Sequence, residues 1–138
     1  MATHTMSHPR IKLKLDGQGR TFDPGEVLAG AYNLESVPPQ EVRAVELSVL
    51  WHTEGKGDED MSVHHFERVE SKNGEPVDFS QPRSFRTTLP NSPLSYSGLI
   101  IRICWRVRVR VFMTRGKELS LEVPFQLGRI PKARESVA

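Results

Sequence analysis

Four arginines, Arg102, Arg106, Arg108 and Arg110, occupy even positions of residues 99–113, LIIRICWRVRVRVFM. A guanidinium presents a planar fork of donors that fits phosphate or carboxylate oxygens. A row of them on one strand face could therefore hold a phosphorylated protein or an acidic lipid. Residues two apart on a strand stand about 7 Å from one another, and two such charges in water repel by only about 0.6 kcal/mol, less with salt. A sheet carries such a row without special compensation, so the row equally describes the solvated face of a very apolar strand, protected from aggregation by charge. A one-sided sheet alternates in this way as a rule, which favours the solvated face. Lys12 and Lys14 are the next candidates for a basic surface.

Other reactive side chains lack the spacing that their chemistry requires. His64 and His65 are adjacent, and on a strand neighbours point to opposite faces, so a shared metal is not expected. His52 and Cys104 belong to outer faces, with no ligand spacing joining them into a zinc site. Removal of Met1 would leave Ala2-Thr3-His4, a geometry able to hold copper(II) or nickel(II) in a square plane, an incidental property of a disordered end. Asp58, Glu59 and Asp60 in TEGKGDED lack the spacing of a calcium loop, and the same stretch lacks the Lys-Ser/Thr of a phosphate loop. Nothing presents a nucleophile beside a base and its orienter. No metal, no cofactor and no enzymatic activity are expected.

The elements that must position these residues read as strands. RIKLKL alternates Ile11, Leu13 and Leu15 against Lys12 and Lys14, and in VRAVELSVLW the residues Val45, Leu47, Val49 and Trp51 share a face. MSVHHFERV, SFRTTLP and ELSLEVPFQLG continue the extended pattern, separated by Gly- and Pro-rich turns. Trp51 and Trp105 both fall on apolar strand faces and are expected in the core. Thr114, Arg115 and Gly116 suit a three-residue hairpin loop with Gly116 left-handed. Met113 then faces Lys117, Val111 meets Leu119, Val109 meets Leu121, Val107 meets Val123, and Arg108 stands opposite Glu122. A two-residue loop would mix the faces, which a half-buried sheet does not tolerate. About seven to eight short strands with turns between them indicate an all-β, antiparallel immunoglobulin-like sandwich. Residues 99–113 would span roughly 50 Å if fully extended, so that strand is unusually long or bends.

With 138 residues, the chain suits one domain. Its 19 Lys and Arg against 17 Asp and Glu leave a formal charge of +2, too small to imply nucleic-acid binding. One cysteine admits no internal disulfide and fits a reducing compartment. With no apolar run of membrane-span length and no secretory signal, a cytoplasmic protein is expected. Residues 1–9 and 129–138 read as flexible ends around a domain at 10–128.

Two motifs resemble the arrestin-like superfamily of β-sandwiches. FDPGEVLAGAYNL is similar to the family's aromatic, Pro-Gly-Glu, Val-x-x-Gly pattern leading into the second strand. FRTTLPNSPLSYSGLIIRICWRVRVRVFM looks like its Phe-x-x-x-Leu-Pro, Pro-x-Ser-aromatic, Gly, then long Ile-x-Trp/Tyr-x-Val-x-Val strand. With LEVPFQLG the resemblance covers residues 11–128, room for one of the two sandwiches that full arrestins carry. It implies a non-catalytic adaptor or scaffold that binds a protein partner through loops, a sheet edge or the arginine face. The family's first strand carries adjacent basic residues that read phosphates; here Leu13 separates Lys12 from Lys14, and that role is not carried over. The alternative is a binder of anionic membrane or of a phosphorylated or acidic ligand through the basic face. A homodimer through a sheet edge is a further expectation. If the arginine row is only solvated, Arg106→Glu/Arg108→Glu will capture the same partner from native extract as the wild type.

Overall fold

Each alternating run becomes a strand in the computed structural model, which describes residues 8–17, 19–57 and 59–129. Ala2-Thr3-His4, Asp58 and residues 130–138 lie outside the described residues. The strands are β1 (Arg10–Leu15), β2 (Thr21–Phe22), β3 (Val27–Glu35), β4 (Val42–Gly55), β5 (Met61–Glu70), β6 (Arg83–Thr88), β7 (Tyr96–Ser97), β8 (Ile101–Met113) and β9 (Glu118–Leu127). They form a smaller sheet, β1-β3-β6, and a larger one, β2-β9-β8-β4-β5, with β7 beside the start of β8. The all-β sandwich is as expected, with two short strands, β2 and β7, added. One pairing departs from the antiparallel rule. β2 runs parallel to β9, because the chain crosses from the smaller sheet through the turn after Leu15 and arrives running in the direction of β9. Backbone bonds from Gln126 N to Arg20 O (2.7 Å) and from Gly128 N to Phe22 O (2.7 Å) hold it there.

The core is the meeting of two inward faces. From β8 come Trp105, Val107, Val109, Val111 and Met113; from β4 come Val45, Leu47 and Val49. Leu28, Tyr32 and Leu34 of β3 and Phe85 of β6 face them from the smaller sheet. Each side chain taken fully out of water contributes about 1.5–3 kcal/mol relative to exposure. Trp105 is 1% exposed, and its indole N–H donates to the Pro93 carbonyl at 2.7 Å, satisfying the buried donor. Trp51 is only partly buried against the core.

The β8–β9 hairpin has the register derived from the sequence: Val111 faces Leu119, Val109 Leu121, Val107 Val123 and Arg108 Glu122. Met113 N donates to Lys117 O at 2.8 Å. Gly116 is left-handed at φ 72°, and so is Arg115 at φ 64°, which the sequence does not announce.

Gly30 is a close-approach position in the middle of β3. A Cβ there would stand 2.5 Å from the Lys14 carbonyl oxygen and 3.0 Å from the Phe85 ring. At Gly116 a Cβ would meet open space. Gly30→Ala is therefore expected to lose about 1–3 kcal/mol through overpacking, and Gly116→Ala about 1–2 kcal/mol through left-handed strain. Urea unfolding measures both; an unchanged midpoint for Gly30→Ala would contradict the close approach.

Candidate functional site

Pairing of β4 with β8 assembles the outer face of the larger sheet. Opposite one another stand Glu54 and Arg102, His52 and Cys104, Leu50 and Arg106, Ser48 and Arg108, and Glu46 and Arg110. On the flanks, β9 contributes Glu118 and Glu122, and β5 contributes Phe66, Arg68 and Glu70. Long side chains thus lie over a short central row. Leu50 and Ser48 are 0% and 2% exposed although they point away from the core between the sheets. The arginine stems beside them supply apolar cover while their charged heads stay near water.

The arginine row is largely partnered. Arg102 bonds Glu54. Arg110 Nε donates to Glu118 Oε1 at 2.6 Å, and its guanidinium lies 4.9 Å from the centre of the Phe112 ring, which Arg68 approaches from 5.7 Å. Arg106 Nη1 donates to His52 Nδ1 at 2.8 Å. Its Nε stands 2.7 Å from Glu122 Oε2, an ion pair by distance whose N–H is not aimed at the oxygen. Glu122 therefore serves Arg106 diagonally and not Arg108 directly opposite. Arg108 has no carboxylate within ion-pair distance among the described residues, and its shielded Nε has no hydrogen-bond partner.

Lys12 and Lys14 lie on the outer face of the other sheet. Lys12 Nζ is 3.0 Å from Glu35 Oε2, a carboxylate shared with Arg10 at 2.6 Å. The Arg10 hydrogen bond, with Lys12 second, holds the Glu35 carboxyl below its ordinary range. The structure brings the four arginines together on one strand face and leaves the two lysines on the opposite side of the sandwich.

His52, Glu54 and Cys104 form a cluster that residue spacing does not reveal. Their donor atoms lie within 4.8 Å of one another, and all three residues are half-buried. His52 Nε2 is 2.8 Å from Glu54 Oε2. With a donor at Nδ1, the ring proton sits on Nε2 and points at the carboxylate. Burial, the largest cause, raises the Cys104 thiol above its ordinary value. Burial thus disfavours the thiolate, and both ring nitrogens of His52 are engaged. The available signal was Trp51 set against Trp105, which puts His52 opposite Cys104; it needs the partner of β4 to be known. Cys104 also lines a cleft of about 280 Å³ with Tyr96, Arg102, Trp105 and Pro124. The cleft forms where the neighbour of β8 changes from β7 to β9.

His64 and His65, expected on opposite faces, meet at an irregularity: His65 pairs with Val49 and Val63 with Leu50, leaving His64 as an extra residue of β5. His64 Nε2 lies 2.9 Å from the Thr88 carbonyl and 3.1 Å from Thr87 Oγ1, linking β5 to the smaller sheet. His65 Nε2 lies 2.7 Å from Glu67. Exposed large apolar side chains gather on the outer strand β5, as Met61, Val63 and Phe66, and near the turn into β8, as Leu94, Tyr96, Leu99, Ile100 and Ile101, with Val27 apart from them at the start of β3.

The fold is that of an arrestin-like β-sandwich. It is similar to the crystal structure of Spo0M, a sporulation control protein from Bacillus subtilis, with a TM-score of 0.63 and 15% sequence identity. The match covers 90% of this chain and 51% of that one, so the chain spans about half the length of Spo0M. No family model and no curated protein matches the sequence. Among the described residues no helix is long and apolar enough to cross a membrane.

The Glu54 carboxyl is lowered from 4.5 to about 2, first by the Arg102 hydrogen bond and then by that of His52. A folded-state value below the ordinary one means stabilisation that is complete above about pH 4.5 and is lost as pH falls towards 2. Glu54→Gln should therefore flatten the acid limb of a thermal-midpoint profile over that interval, an effect that salt reduces. A profile identical to wild type would refute the pairing.

Proposed function

We propose that this chain is a non-catalytic protein-interaction module of arrestin-like type, an adaptor or scaffold in the cytoplasm with residues 10–128 as its domain. The observation that carries this reading is the outer strand β5. It closes one side of the larger sheet, pairs only with β4 among the described strands, and exposes Met61, Val63 and Phe66. An unpaired edge offers main-chain donors and acceptors to an extended segment of a partner, and flanking apolar side chains supply selectivity. The partner can be another protein or a second copy of the chain. The His52 ring, with both nitrogens engaged by Glu54 and Arg106, supports a role without catalysis.

The alternative reading is an anionic surface or a phosphorylated ligand at the arginine face. Arg108, without a carboxylate partner among the described residues, favours it; the partners of Arg102, Arg106 and Arg110 oppose it, because an arriving anion must displace them. Affinity capture from native extract at low and moderate salt separates the two. Val63→Lys/Phe66→Glu is expected to lose the captured protein, with circular dichroism unchanged, while Arg106→Glu/Arg108→Glu retains it. Loss in the arginine variant alone, with binding that fades steeply as salt rises, would transfer the function to the basic face.

A further inference from the structure

β4 and β8 place an imidazole, a carboxylate and a thiol side by side on the outer face of the larger sheet. We propose that His52, Glu54 and Cys104 are a three-ligand site for one divalent cation of the zinc class, with a fourth position left to water. This goes beyond the interaction reading and does not rest on it.

The donor set is the first argument. Nitrogen, oxygen and sulfur ligands together suit a borderline-soft ion such as zinc, and three protein ligands with an open position are a common arrangement for it. Ligand atoms bound tetrahedrally at zinc stand about 3.3–3.8 Å apart. The three donor atoms are already within 4.8 Å of one another. His52 Nε2 and Glu54 Oε2, now in hydrogen-bond contact at 2.8 Å, need only part by roughly half an ångström to admit the ion.

Neighbouring groups are the second argument. Arg102 holds Glu54 through Oε1, leaving Oε2 towards the ring, a supporting bond of the kind that orients metal-binding carboxylates. Cys104 borders the cleft, so solvent has a route to the open position. Arg106 is the competing cation: its Nη1 donates to His52 Nδ1. When the ion takes the Nε2 lone pair, the ring proton moves to Nδ1 and the guanidinium must withdraw. Glu122, 2.7 Å from Arg106 Nε, is positioned to keep it. The Cys104 thiol loses its proton as the sulfur–metal bond forms, so one proton leaves the site per ion bound. The two anionic ligands then balance the divalent charge.

The full chain carrying His4→Ala, which removes the N-terminal copper-type geometry, is titrated with zinc by calorimetry in two buffers of different protonation enthalpy. Cobalt(II) is added to a second sample and followed by absorption. The site predicts one ion per chain, about one proton released, and a near-ultraviolet thiolate–cobalt band. Cys104→Ser should abolish that band and weaken zinc binding by about tenfold or more, and Arg106→Gln should strengthen it. His52→Gln replaces Cys104→Ser should the serine variant lose its fold by circular dichroism. Absence of the cobalt band, or undiminished zinc binding in the ligand variant, would overturn the proposal.

Discussion

In an antiparallel pair a slip of one residue moves every side chain to the other face. β4 and β8 are paired from Val42 against Met113 to Gly55 against Ile101, the longest ladder in the molecule. Its register puts Val45, Leu47 and Val49 beside Val111, Val109 and Val107 on the inside. The core, the arginine row and the cluster around His52 all depend on that alignment. A slip would carry arginines into the core, where each would need a partner to offset its desolvation, so the register is strongly determined.

The outer face also shows how electrostatics are settled across strands. Seen along β8 and its hairpin partner, four arginines meet Glu118 and Glu122. Across the full sheet, Glu46 and Glu54 of β4 and Glu70 of β5 join them, while β5 adds Arg68. Five basic and five acidic residues then share one face. What looks like a basic row along one strand is a nearly neutral lattice in two dimensions, anchored on Leu50 and Phe112. Among the described residues Arg108 is the member left without an acid.

The same layout divides labour across the surface. The centre of the large sheet is tied down by ion pairs and by the Arg–Phe112 contacts, whereas β5 and the turn before β8 hold most of the exposed large apolar side chains. A register shift interrupts this edge beside Val49 and Leu50, and His64 fastens it to Thr88 of the smaller sheet. An edge that is both fastened and open suits selective pairing better than indiscriminate stacking.

By itself, the sequence determined the strand character, the hairpin after Met113 and the inward-facing set of β8, because period-two alternation and a three-residue loop are local properties. It also placed the four arginines on one face, since strand geometry alone does that. Only the tertiary structure decided that β4 is the neighbour of β8, that β2 runs parallel to β9, and that Trp51 is less covered than Trp105. Nor could local pattern show Glu122 serving Arg106, the lysines standing on the far sheet, or His52 meeting Cys104. Each of these is a relation between different strands, most of them dozens of residues apart. Strand order and register determine such relations, and alternation within a single strand is the same whichever neighbour it receives.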